Sequence, residues 1–276
     1  MIRYLTHWKL YALPWMFLAL ACGRAGDAQT QQKTAELKQK AGFPGKVLLD
    51  ALQDVDLRDD QRADVVALME DTRKRLAPLR LERAKLLRDA AAAVRAGGVD
   101  ETAIRSRVKT LKAAFDQAKP GLIQNLNKLH GLLDEDQRRQ LVDALHERIK
   151  TRMHGHGPGA HGGPHKFLKR LAAKLGLTGR QEDNIRARLK EEFPHHPAEA
   201  RKRHQKIRDE MRAAAEAFVA DGFDAAKLAL WSHHERQEQH LDKIIGVSKV
   251  VLPVLSIEQR EHIATHLEQR ASELEK

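Results

Sequence analysis

The chain is predicted to be all-α, organised as two tandem units of long helical hairpins. Three observations point there. Of its 276 residues 32% are charged and only 4% aromatic, and Ala, Leu, Lys, Arg, Glu and Gln dominate, the residues that lose least on entering a helix. No stretch sustains the apolar–polar alternation of a half-buried strand, and β-branched residues are scattered. Four pentapeptides of the form Leu-x-x-x-Gln recur in two pairs, each where a helix would begin.

Residues 1–21 come first. Arg3 and Lys9 precede an uncharged run from Leu10 to Ala21, too short to span a bilayer as a helix, which is the pattern of a secretory signal. The run ends in Ala21-Cys22-Gly23, which resembles the lipobox of bacterial lipoproteins. That resemblance implies a diacylated Cys22 as the mature N-terminus. With Gly rather than Asp after the cysteine, it implies an outer-membrane lipoprotein of a Gram-negative cell, facing the periplasm. An ordinary cleaved signal that merely contains a cysteine is the alternative. Cys22 is the only cysteine, so no internal disulfide is expected, and a lipidated sulfur excludes thiol catalysis.

Residues 22–45 are Gln- and Lys-rich and read as a flexible tether. A first helical unit is expected over 46–152 and a second over 166–276. Between them, 153–165 hold the tract HGHGPGAHGGPH, where Gly and Pro at every turn exclude a regular helix. The two units repeat one another. Pro44, Lys46 and Leu48 correspond to Pro164, Lys166 and Leu168, 120 residues on, and the same offset carries Leu57 and Gln61 to Leu177 and Gln181. Gly98-Val99-Asp100 resembles Gly222-Phe223-Asp224, and Leu133 and Gln137 match Leu255 and Gln259. A duplication explains this series.

Each pentapeptide has a physical reading. Asp134, Thr178 and Ser256 are good N-caps, and the Gln three residues later closes a capping box; each cap contributes ~1 kcal/mol. Arg58 is a poor cap, though Asp59 and Asp60 complement the helix dipole there. Apolar residues eight and twelve positions on (Val65/Met69, Leu141/Leu145, Ile185/Leu189, Ile263/Leu267) put one face of each following helix toward a core. Each unit is thus expected to hold a lead helix (46–55; 166–175) and a helix after its first motif. A basic helix ending near Gly97-Gly98 or Asp221-Gly222 follows, then a third long helix capped by Asp100 or Asp224 and a last one after the second motif. Pro78 and the segment 194–197 mark breaks.

With these residues in place, the chain resembles the Spy/CpxP group of periplasmic proteins, whose mark is a pair of LTxxQ motifs. Leu177-Thr178-Gly179-Arg180-Gln181 matches in full, Leu255-Ser256-Ile257-Glu258-Gln259 nearly, and the motifs at 57 and 133 more loosely. The resemblance implies interleaved long helices forming a cradle. It also implies ATP-independent chaperoning of unfolded or misfolded envelope proteins on a basic, partly apolar face. Metal-responsive relatives imply a second reading, a periplasmic sensor or buffer of Zn, Ni, Co or Cu. A third is an adaptor that docks on the periplasmic domain of an envelope-stress sensor kinase. Two units in one chain lead us to expect a single-chain pseudo-dimer.

The net charge of +11 fits acidic or anionic partners. It concentrates at one place in the repeat: Arg73, Arg75, Arg80, Arg83, Lys85 and Arg88 in the first unit, and Arg201, Arg203, Lys206, Arg208 and Arg212 in the second. Leu76, Leu79, Leu86 and Leu87, or Met211 and Phe218, lie between these charges. Long cationic stems beside apolar residues would attract a client at range and hold it weakly; the competing reading is a solvated helix face with its leucines in the core. No nucleic-acid motif accompanies the charge, and contact with a membrane is expected through the lipid anchor only.

His154, His156, His161 and His165 make the linker a candidate low-specificity metal site, and His262 and His266 share a helical face four residues apart. No cofactor is required by anything in the chain. No Gly-rich phosphate loop, G-x-S-x-G or HExxH pattern is present, so an enzyme is not expected.

Overall fold

The computed structural model describes residue 32, residue 36 and residues 43–154, 164–193, 197–231 and 234–275. Among these residues there is no strand, and the protein is all-α. From Phe43 onward the described residues form ten α-helices: α1 (Phe43–Leu52), α2 (Asp59–Arg75), α3 (Ala77–Ala96), α4 (Glu101–Leu132), α5 (Glu135–His154), α6 (Pro164–Leu175), α7 (Gly179–Glu192), α8 (Pro197–Val219), α9 (His234–Val251) and α10 (Ile257–Glu275). Helices α1–α5 come from the first half of the sequence and α6–α10 from the second.

Local chemistry sets most boundaries. Pro78 sits in the first turn of α3, where its missing N–H costs nothing, and Leu76 forms the turn between α2 and α3. Asp100 caps α4 by accepting from Ala103 N–H at 2.9 Å. Within α4 the helix runs through Pro120 without a break, although one backbone hydrogen bond is forfeited there. Ala118 and Leu122 on either side of it are buried, and their packing outweighs that loss.

The second half departs from the first after α8. Asp224 caps only one 3₁₀ turn, Ala225–Lys227, and a second turn, Ala229–Trp231, follows before α9 begins. The third long helix expected from Asp224 onward is therefore broken. Tertiary contacts are the cause: Ala225 N–H donates to Asn127 Oδ1 of α4 at 2.8 Å, and the buried Trp231 donates its indole N–H to Ala225 O at 2.5 Å. Trp231 also faces Phe115 of α4, ring centroids 6.4 Å apart. Drawing this segment into a core formed by the first half is incompatible with continuing one straight helix.

Two hydrophobic cores result, and each mixes the halves. The first is built from α1, α2, the C-terminal part of α4 and α5, together with Ala214 and Phe218 of α8, Ala225 and Trp231. The second is built from α6, α7, the end of α9 and α10, together with Ala84, Leu87, Ala91 and Val94 of α3. Helices α3 and α8, equivalent in the repeat, are thus exchanged: α3 lies along α10 in the most extensive helix–helix contact, and α8 contacts α5.

The α3–α10 contact has coiled-coil spacing. Ala84, Leu87, Ala91 and Val94 alternate by three and four residues, as do Ala264, Leu267, Ala271 and the half-buried Leu274 opposite. Alanine at every second seam position lets the two backbones approach closely. Arg88 pairs with Glu275 and Arg95 with Glu268 and Glu261, so the helices run antiparallel.

Candidate functional site

The four Leu-x-x-x-Gln motifs meet in pairs. Leu57 and Leu133 are core residues of the first cluster. Their glutamines are buried and bond to each other reciprocally: Gln61 Nε2 donates to Gln137 Oε1 at 2.8 Å, and Gln137 Nε2 to Gln61 Oε1 at 2.9 Å. Each amide then reaches the chain entering the other helix, Gln61 Nε2 to Leu132 O at 2.6 Å and Gln137 Nε2 to Asp56 O at 2.8 Å. Each Oε1 also accepts from a cap residue's backbone, Arg58 N–H at 2.9 Å and Asp134 N–H at 3.1 Å. Arg58 has no side-chain acceptor, so the box at α2 is one-sided, as its sequence implied.

The second half repeats the device in a wetter setting. Thr178 and Ser256 accept from Gln181 N–H and Gln259 N–H, at 3.3 and 3.2 Å. Gln181 and Gln259 are half-buried and bond to each other at 2.9 and 3.3 Å, with onward bonds to Val254 O and Leu175 O. Leu255 is buried and Leu177 packs against the second core. The motifs are therefore helix starts that are also tied to one another. Capping chemistry foretold the starts; the Gln–Gln tie was not foreseen, and the signal for it was the invariant Gln in both members of each pair.

The arginine after the second motif of each half lies at the end of the exchanged helix. Arg138 is buried and donates to Val219 O at 3.0 Å and to Asp221 Oδ1 at 2.7 Å, at the end of α8. Its counterpart Arg260 lies over Gly97, at the end of α3. Gly97 has φ +75°, a left-handed conformation that favours glycine, and a Cβ there would push the Arg260 guanidinium aside. His130 of α4 completes the grip on α8. It donates from Nε2 to Ala220 O at 3.0 Å, stacks on Phe223 and meets the edge of Phe218. Burial, ahead of the nearby Arg138, pushes its imidazole pKa below the usual histidine value.

The predicted basic residues of the first half are largely engaged within the protein. Arg75 pairs with Asp71 at 2.5 Å and its guanidinium packs over Gly121. Lys85 pairs with Glu82 at 2.7 Å, and Arg88 makes two 2.5 Å bonds to Glu275. Arg80 and Arg83 are half-buried. Burial first, then Arg73 beside Arg80 and Arg270 beside Arg83, pulls both guanidinium pKa values down. Arg73 is half-buried at the end of α2. Leu86 and Leu87 between these charges are core residues.

The second half is different. Lys202, Lys206, Arg208 and Arg212 are exposed on α8. Arg208 donates to Gln205 Oε1, and Lys206 and Arg212 form no ion pair among the described residues. Arg201 and Arg203 lie on the same helix, with side chains outside the described set. On the inner side of α8, Ile207 and Met211 pack half-buried on the first core, with Phe218 fully buried beyond them. Of the two repeat-equivalent basic helices, α8 presents its cations to solvent and α3 commits them to neighbours.

His156 and His161 lie outside the described residues, as does Cys22, and the side chains of His154 and His165, at the ends of α5 and α6, do too. Among the described residues no group of three or more His, Cys, Asp or Glu is arranged to hold a metal ion. His262 is exposed and His266 half-buried on α10; burial, then Lys174 and Arg270, lowers the His266 pKa. No described helix is long and apolar enough to cross a membrane. The chain matches no protein-family model, no curated protein and no solved structure.

Proposed function

We propose that this protein is an ATP-independent chaperone, tethered by a lipidated Cys22 to the periplasmic side of the outer membrane, that holds unfolded or stress-damaged envelope proteins on α8. The observation that carries this is the open basic face of α8, Lys202, Lys206, Arg208 and Arg212, flanking the half-buried Ile207 and Met211. Charge attracts a client chain at range and the apolar rim holds it weakly, without a nucleotide site. The exchange of α3 and α8 between the cores supports reading the chain as a single-chain counterpart of a two-subunit cradle. Protein lacking residues 1–22 keeps every described contact, because the described residues begin at 32. It should suppress aggregation of an unrelated unfolding client at near-stoichiometric ratio, more strongly at low salt. No suppression at any ratio sinks the proposal.

A further inference from the structure

From the charge and exposure of α8 we infer that the same helix face docks on an anionic lipid surface, the leaflet to which Cys22 would tether the chain. Residues 201–212 carry six Lys or Arg against Asp209 and Glu210. Those with described side chains, Lys202, Lys206, Arg208 and Arg212, are exposed, and Lys206 and Arg212 have no carboxylate partner among the described residues. Among the described residues the exposed large hydrophobics are Leu81 and Ile257, and neither lies on α8. The face therefore offers point charges without an inserting side chain, which suits a plane of lipid phosphates.

Reach supports the same occupant. Residues 22–42 separate the anchor from α1, and 21 residues can span no more than about 75 Å even fully extended. A tethered chain thus samples the bilayer at high effective concentration, so weak electrostatic attraction suffices. Each cation near an anionic leaflet adds roughly fivefold to partitioning. The geometry rests on Cys22 being the anchor and not on client holding, although lipid and client would compete for one helix.

The test uses protein lacking residues 1–22 and sedimentation with phosphatidylcholine vesicles, with and without phosphatidylglycerol. Binding is expected only to the phosphatidylglycerol vesicles, lost at high salt. Lys206→Glu/Arg208→Glu/Arg212→Glu should weaken it by roughly a hundredfold or more. The control Lys109→Glu/Lys128→Glu/Lys169→Glu, at exposed positions on α4 and α6, changes net charge equally and should retain most of it. Equal loss in both triples, with circular dichroism showing both folded, overturns the docking face in favour of net charge alone. Binding to poly-L-glutamate without binding to anionic vesicles overturns it in favour of an acidic polypeptide partner. Vesicle binding is read with no client present, so its failure and that of aggregation suppression are separate results.

Discussion

Helices α3 and α8 hold the same place in the repeat and carry similar positive charge, yet they do opposite things with it. Helix α3 is gripped along much of its length by α10, with alanines in the seam and arginines latched to Glu261, Glu268 and Glu275. Helix α8 is held through its C-terminal part, by Phe218, Arg138 and His130, and leaves the cations before it in solvent. Two helices that align in the sequence but lie in two environments are a strut in one and an open face in the other. What separates them is the partner helix: acidic residues at seven-residue spacing face α3, whereas α8 meets the first core chiefly through apolar side chains.

The largest expected effect comes from breaking the hold on α8. Phe218 is fully buried between the halves, so Phe218→Ala should cost about 3–5 kcal/mol in denaturant unfolding. If α8 depended on its charges rather than on this anchor, the loss would fall well below that range. Because Trp231 sits in the same core, its fluorescence should redden in the variant before global unfolding.

The motif ties give the next effect and compare the two cores. Gln61→Ala leaves the buried Gln137 amide and Leu132 O short of partners, which should cost about 1–3 kcal/mol. The equivalent Gln181→Ala opens onto a half-exposed site that water can re-satisfy, and should cost less. Equal losses in the two variants would mean that burial does not distinguish the two pairs.

These motifs were the most legible part of the sequence, because capping is local: Thr178 with Gln181, and Ser256 with Gln259, lie within one turn. The exchange of helices was not legible, since nothing within a few residues of α3 says which half will cover it. A trace was present all the same. Arg88 and Arg95, and Glu261, Glu268 and Glu275, each repeat at seven residues, the spacing of paired charges flanking a coiled-coil seam. Read together, they would have moved Arg88 from the candidate surface to an interface. The break between α8 and α9 had no local signal, because it depends on Trp231 reaching a core made by the other half.

The smallest effects on stability, and the sharpest contrast, lie in the cations themselves. Bonds to Arg95, ahead of all other influences, hold the Glu261 and Glu268 carboxyls below the ordinary carboxylate value of 4.5, and bonds to Arg88 do the same for Glu275. A depressed carboxylate contributes stability that is fully present above its unfolded pKa and lost as pH falls through the folded one. The stabilisation from these pairs should therefore be fully present and constant between pH 5 and neutrality, and should fall away as pH drops below about 4.5. Arg95→Ala removes the cause of the shift, so thermal melts of that variant should start lower at neutral pH and decline less steeply into acid. Arg212→Ala, on exposed α8, should leave the melt and its acid slope within about 0.5 kcal/mol of wild type. Were the two substitutions to give superimposable acid profiles, the division of labour between strut and surface would be wrong, and α8 would need a carboxylate partner of its own.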